Sequence, residues 1–90
     1  MVTAFVLINV EDQKINAIAD TLLKMKGVSE IHVVAGEYDI VAVVRVTDNP
    51  ALAHLLTNEI IHTPGIHRTK TLVSLHGQAN FDVAVLSPRQ

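Results

Sequence analysis

The sequence predicts an α+β domain whose elements run β-α-β-β-α-β. Three observations carry this. Apolar runs of strand length at residues 2–10, 28–35, 40–46 and 66–76 are interleaved with two segments of helical periodicity. The two halves echo each other: "KGVSEIHVV" follows the first helical segment and "PGIHRTKTLV" follows the second, each leading through Gly and a β-branched residue into a strand. Breakers punctuate the runs: Gly27 after the first helix, Gly36 to Asp39 between two strands, and Pro64-Gly65 after the second helix. The architecture that satisfies all three is the ferredoxin-like plait, a four-stranded antiparallel sheet with two helices on one face.

The elements follow in order. "VTAFVLINV" opens with the β-branched and aromatic residues that favour a pleated surface. Asp12 is positioned to cap the first helix, in which Ile15, Ile18, Ala19, Leu22, Leu23 and Met25 recur at helical spacing. Lys24 and Lys26 suit the negative end of its dipole, and Gly27 suits its exit. The second and third strands flank a polar interruption, Gly36-Glu37-Tyr38-Asp39. "TDNP" opens the second helix, with Asn49 as cap, Pro50 at the first helical position, and Leu52, Leu55, Leu56 and Ile60 as its apolar stripe. Pro64 and Gly65 stop it. Residues 1–76 form the expected domain, and 77–90 a tail in which "NFDVAVL" reads as a short fifth strand.

Strand alternation then bears on assembly. Ala4, Val6, Ile8 and Val10 point one way; Thr3, Phe5, Leu7 and Asn9 point the other. Ile40, Ala42, Val44 and Val46 likewise oppose Val41, Val43 and Arg45. Both faces are largely apolar, yet the helices cover one. A chain of 90 residues, 49% hydrophobic and only 18% charged, has little polar surface with which to cover the other. The expectation is a sheet-to-sheet dimer.

Composition excludes several function classes. A net charge of -2 with no basic run gives no electrostatic footprint for direct nucleic-acid binding. With no cysteine there is neither a disulfide framework nor thiolate chemistry. No apolar run approaches the roughly 18 residues of a membrane span, and the N-terminus lacks a signal-peptide pattern. A cytoplasmic location is expected. His32, His54, His62, His67 and His76 show no metal-ligand spacing, and no serine sits in a nucleophile elbow. No metal, cofactor or catalytic residue is expected. Arg45 and Arg68 suit either an interface ion pair or a ligand carboxylate, with the ion pair preferred.

On residues alone, "GEYD" is either a hairpin turn or a binding loop, and Thr69 and Thr71 are either strand formers or ligand donors. The wider pattern resembles a family. "AFVLINV", a helix, "KGV", "GEYDIV", a second helix, "TPGI" and "TKTLVSL" together resemble the effector-binding (RAM) domain of the Lrp/AsnC regulators, over about residues 3 to 76. Full-length members carry an N-terminal helix-turn-helix, whereas this chain opens at the first strand. The expectation is a stand-alone version of the domain.

The resemblance implies a homodimer, larger rings such as an octamer of four dimers, and capture of a free amino acid where dimers meet. It also implies association with full-length Lrp/AsnC-type regulators. The site residues it implies are Gly36, Glu37, Tyr38, Asp39, Thr69 and Thr71. In that reading Gly36 permits close approach, the turn offers N–H groups to a carboxylate, and Asp39 accepts from the ammonium. Thr69 and Thr71 share a strand face and supply hydroxyls, while Tyr38 walls the pocket. The competing function is a small enzyme on a dimeric α+β barrel, which requires an enclosed cavity between sheet and helices with a polar group inside. An ACT-type regulatory domain shares the plait and the ligand class, but is normally attached to an enzyme.

Overall fold

The computed structural model describes residues 1–80, and of Asp12 the backbone alone. The expected strand in the tail lies outside the described residues. Strands β1 (Val2–Val10), β2 (Val28–Val33), β3 (Ile40–Val46) and β4 (Ile66–Val73) form one antiparallel sheet in the order β2-β3-β1-β4. Helices α1 (Ile15–Leu23) and α2 (Asn49–His54) complete the expected plait.

The register places the core. Ala4, Val6 and Ile8 lie opposite Val44, Ala42 and Ile40, and all six are fully buried. Of the two faces that alternation separates, this is the one the helices cover. From the helices, Ile18, Leu22, Leu52, Leu55 and Ile60 close onto it. On the other face, Phe5 lies between Val43 and Leu72; Phe5 is 37% exposed and Leu72 47%.

Helix boundaries depart from expectation. Entry into α1 is a 3-10 turn, Asp12–Lys14, and neither Glu11 nor Lys14 at the cap positions makes a side-chain cap. The entry is tied instead by the Glu11 N–H donating to the Gly65 carbonyl at 2.9 Å. Because α1 ends at Leu23, Lys24 and Lys26 lie beyond its last turn, and Leu23 itself is 51% exposed. Asp48, not Asn49, caps α2, its Oδ1 accepting from the Ala51 N–H at 2.9 Å. The aspartate sits one residue further out, where its carboxylate reaches the third helical amide.

After His54, α2 widens into a π-type segment, Leu55–Ile60, and the Ile61 N–H reaches back to the Leu56 carbonyl at 3.1 Å. An unbroken α-helix leaves Ile60 about 80° off the line of Leu52. The wider turns bring it back over the sheet, where it is fully buried. Gly65 follows at φ 93, and a Cβ there would stand 2.7 Å from Ile18 Cδ1. Glycine is thus required both by conformation and by contact.

Candidate functional site

The β2–β3 connection begins where β2 stops, two residues earlier than expected. The Val34 N–H donates to the Asp39 carbonyl at 2.9 Å and closes the hairpin. Gly36 holds φ 139, a conformation side chains resist, and nothing stands within 4 Å of the position its Cβ would take. The loop is therefore open at its tip.

Its base is fastened to β1. The Asp39 N–H donates to the Ile8 carbonyl at 2.9 Å, and Asp39 Oδ2 accepts from the Val10 N–H at 2.9 Å. Asn9, between them, donates through Nδ2 to the Glu37 carbonyl at 2.8 Å. Among the described residues, the N–H groups of Gly36, Glu37 and Tyr38 have no acceptor, and Asp39 Oδ1 has no donor. Free donors and a free carboxylate oxygen therefore stand on one short loop.

On the β4 side, Arg68 donates through Nε and Nη2 to Asn9 Oδ1, at 3.3 and 3.2 Å. Its guanidinium carbon lies 6.0 Å from the centroid of the Tyr38 ring, within cation–π range. The register shifts here: Asn9 pairs with Arg68 but Val10 with Ile66, so His67 is left over as a bulge. An open depression beside it is lined by Asn9, Glu11, Lys14, Asp39 and His67. A smaller one adjoins Asn9, His67 and Arg68.

The six expected residues therefore divide. Gly36, Glu37, Tyr38 and Asp39 form one loop. Thr69 and Thr71 share a face, as expected, but they lie opposite Ile8 and Val6 and so stand on the helix side of the sheet. Arg68, next to Thr69, stands on the other side, opposite Asn9. The reading from sequence did not assign Asn9, Lys14 or His67 to the site. The available signal was Asn9 itself, a polar residue near the end of a strand otherwise polar only at Thr3.

Both ion pairs among the described residues converge on Glu30, at the open face. His32 Nε2 lies 2.9 Å from one carboxylate oxygen and Arg45 Nη1 3.6 Å from the other. The His32 hydrogen bond, opposed by slight desolvation and reinforced by the charges of His32 and Arg45, holds Glu30 below the usual carboxylate range. Arg45 is therefore paired within the chain, whereas Arg68 meets a neutral amide. All five histidines are exposed, and among the described residues no three potential ligands gather around a metal position. No helix in the described residues is long and apolar enough to cross a membrane.

Comparison with known proteins places the chain as a whole. The family model of the Lrp/AsnC ligand binding domain matches residues 3–78. An uncharacterized HTH-type transcriptional regulator of Pyrococcus furiosus is 33% identical over 75 residues, covering 80% of this chain and 50% of that protein. The chain thus spans about half the length of the curated relatives it matches. A crystal structure from Thermus thermophilus superposes with a TM-score of 0.83 at 34% identity, covering 89% of this chain and all of that one. A feast or famine regulatory protein from M. tuberculosis, in complex with L-methionine, superposes with a TM-score of 0.71 at 30% identity, covering 89% of this chain and 54% of that one.

Proposed function

This chain belongs to the Lrp/AsnC ligand-binding domain family, and from that premise we propose that it is a non-catalytic module that binds a free amino acid and alters its own assembly in response. The observation that carries the reading is the β2–β3 loop. Its base is bonded to β1 through Asp39 and Glu37, while the N–H groups of Gly36, Glu37 and Tyr38 and one Asp39 oxygen lack partners among the described residues. An amino acid presents the complementary set, a carboxylate that needs donors and an ammonium that needs an anion. The complex of a structural neighbour with L-methionine supports the ligand class.

Thr69 and Thr71 face away from Arg68, on edge strand β4. In this reading they complete a pocket from an adjoining copy, where dimers meet in a larger ring. Phe5, Leu7, Val41, Val43 and Leu72 form the sheet face that pairs within a dimer. Burying a whole Phe or Leu side chain contributes about 1.5–3 kcal/mol, so the half-exposed Phe5 and Leu72 supply part of that each. The module acts in the cytoplasm on transcription by joining full-length relatives through matching surfaces. Residues 1–76 carry this role, with 77–90 as a tail.

The layer between sheet and helices supports a binding role over an enzymatic one. Ile8, Leu22, Ile40, Leu55 and Ile60 fill it. Thr63, the polar side chain buried among the described residues, spends its hydroxyl on the Glu59 carbonyl at 3.0 Å.

The test is molar mass by light scattering, with and without each free amino acid. A mass of several dimers that changes with one amino acid is the expected result. A fixed mass, with no amino acid detectably bound by calorimetry, overturns the reading.

A further inference from the structure

We propose that Arg68 is the receptor for a ligand carboxylate and thereby sets which ligands the loop accepts. The inference rests on the amino-acid reading above and deepens it, because it names a residue outside the loop and a chemical requirement on the ligand.

The geometry of the guanidinium is the first argument. Nε and Nη2 converge on a single neutral oxygen, Asn9 Oδ1, at 3.3 and 3.2 Å. An arginine carries five N–H donors in a rigid fork. Using that edge on one acceptor leaves the Nη1–Nη2 edge free, and its two parallel N–H groups match the two oxygens of a carboxylate.

Charge is the second. Both ion pairs among the described residues go to Glu30, one of them from Arg45. Arg68 meets no carboxylate there; its partners are an amide oxygen and the Tyr38 ring. These contacts orient the side chain without neutralising it, so its ordering precedes any ligand. An oriented, uncompensated cation invites an anion.

Position is the third. Asn9 donates to the Glu37 carbonyl while accepting from Arg68, which ties the guanidinium through Asn9 to the β2–β3 loop. The depression beside Arg68 shares Asn9 and His67 with the one that contains Asp39. A ligand with separated charges can therefore meet Arg68 and Asp39 from adjoining surfaces. The carboxylate is either the α-carboxylate of any amino acid or the side-chain carboxylate of an acidic one. The recognition chemistry is the same.

The experiment is calorimetry of the full chain with each free amino acid, repeated on Arg68→Gln and Arg68→Lys, with thermal melts to confirm folding. The tightest ligand of the unaltered chain is then compared with its α-carboxamide, and Glu and Asp with Gln and Asn. Arg68→Gln is expected to weaken the tightest ligand at least about tenfold and to abolish discrimination against the uncharged analogue. Arg68→Lys, which keeps the charge but not the fork, is expected to fall between and guards against a glutamine variant that fails to fold. Loss of discrimination in the α-carboxamide pair identifies the α-carboxylate, and loss in the Glu/Gln or Asp/Asn pair identifies the side chain. Unchanged affinity and discrimination in Arg68→Gln overturn this assignment alone. If the unaltered chain binds no amino acid, the functional reading and this assignment fall together.

Discussion

Asp39 and Val10 are joined where the sheet changes register. The Asp39 carboxylate accepts the Val10 N–H at 2.9 Å, and at Val10 the pairing of β1 with β4 skips His67. The Val10 N–H faces the β3 side of β1, as the Ile8 carbonyl does, and the pairing with β3 ends at Ile40, so a side chain from the loop takes up that amide. One carboxylate thus serves the fold with one oxygen and leaves the other open to a ligand.

That division separates two substitutions. Asp39→Ala removes both oxygens and is expected to lower unfolding free energy by about 1–3 kcal/mol in urea titration, the usual loss for a hydrogen bond to a charged group. Asp39→Asn keeps an oxygen for Val10 but loses the charge. It is expected to remain within about 1 kcal/mol of the unaltered chain while its amino-acid affinity falls. Equal stability of the alanine variant and the unaltered chain would show the Val10 contact to be energetically idle.

Glycine substitutions separate backbone strain from collision. At Gly36, φ is 139 and nothing lies within 4 Å of an added Cβ, so alanine meets strain alone. A loss of about 1–3 kcal/mol is expected by equilibrium unfolding. At Gly65 the same kind of strain is joined by Ile18 Cδ1 at 2.7 Å, and Ile18 is buried, with little room to retreat. Gly65→Ala is expected to be the less stable of the two, and the reverse order would count against the close approach.

Glu30 gives a pH prediction. Its carboxyl is held below the ordinary 4.5 in the folded chain, chiefly by His32. A group whose folded value is depressed stabilises the fold above its unfolded value and loses that contribution as pH falls through the folded one. A carboxyl NMR titration should therefore place Glu30 below the ordinary value. His32→Ala should raise it more than Arg45→Ala does, since the histidine bond is the larger cause. An unmoved midpoint in His32→Ala would remove the histidine from the account.

Much of this fold was legible because it depends on local periodicity. The order of element types, the grouping of Ala4, Val6 and Ile8 on one face, and the apolar stripe from Leu52 to Leu56 follow from spacing; which face the helices cover does not. Ends of elements were less legible. Asp48 and Asn49 are both capable caps, and the choice between them turns on which one reaches the Ala51 amide. The π-type segment leaves no periodic signature of its own. For the site, a glycine between two apolar strands pointed to the loop. The contact between Arg68 and Asn9 spans 59 positions and exists only in one strand register, so no local pattern announces it. The sidedness of Thr69 and Thr71 depends on the same register.

The two bulges carry a consequence for how copies can meet. β2 and β4 are the edges of the sheet, and each has an irregular register, between Val28 and Glu30 in one and at His67 in the other. Exposed charged side chains accompany them, Glu30 on β2 and Arg68 and Lys70 on β4. A foreign strand laid along either margin meets a broken ladder and charges, the features that discourage edge-to-edge growth. The flat of the sheet offers no such obstacle at Phe5 and Leu72. Both margins of the sheet are therefore poor templates for the strand-by-strand addition that builds open-ended fibres.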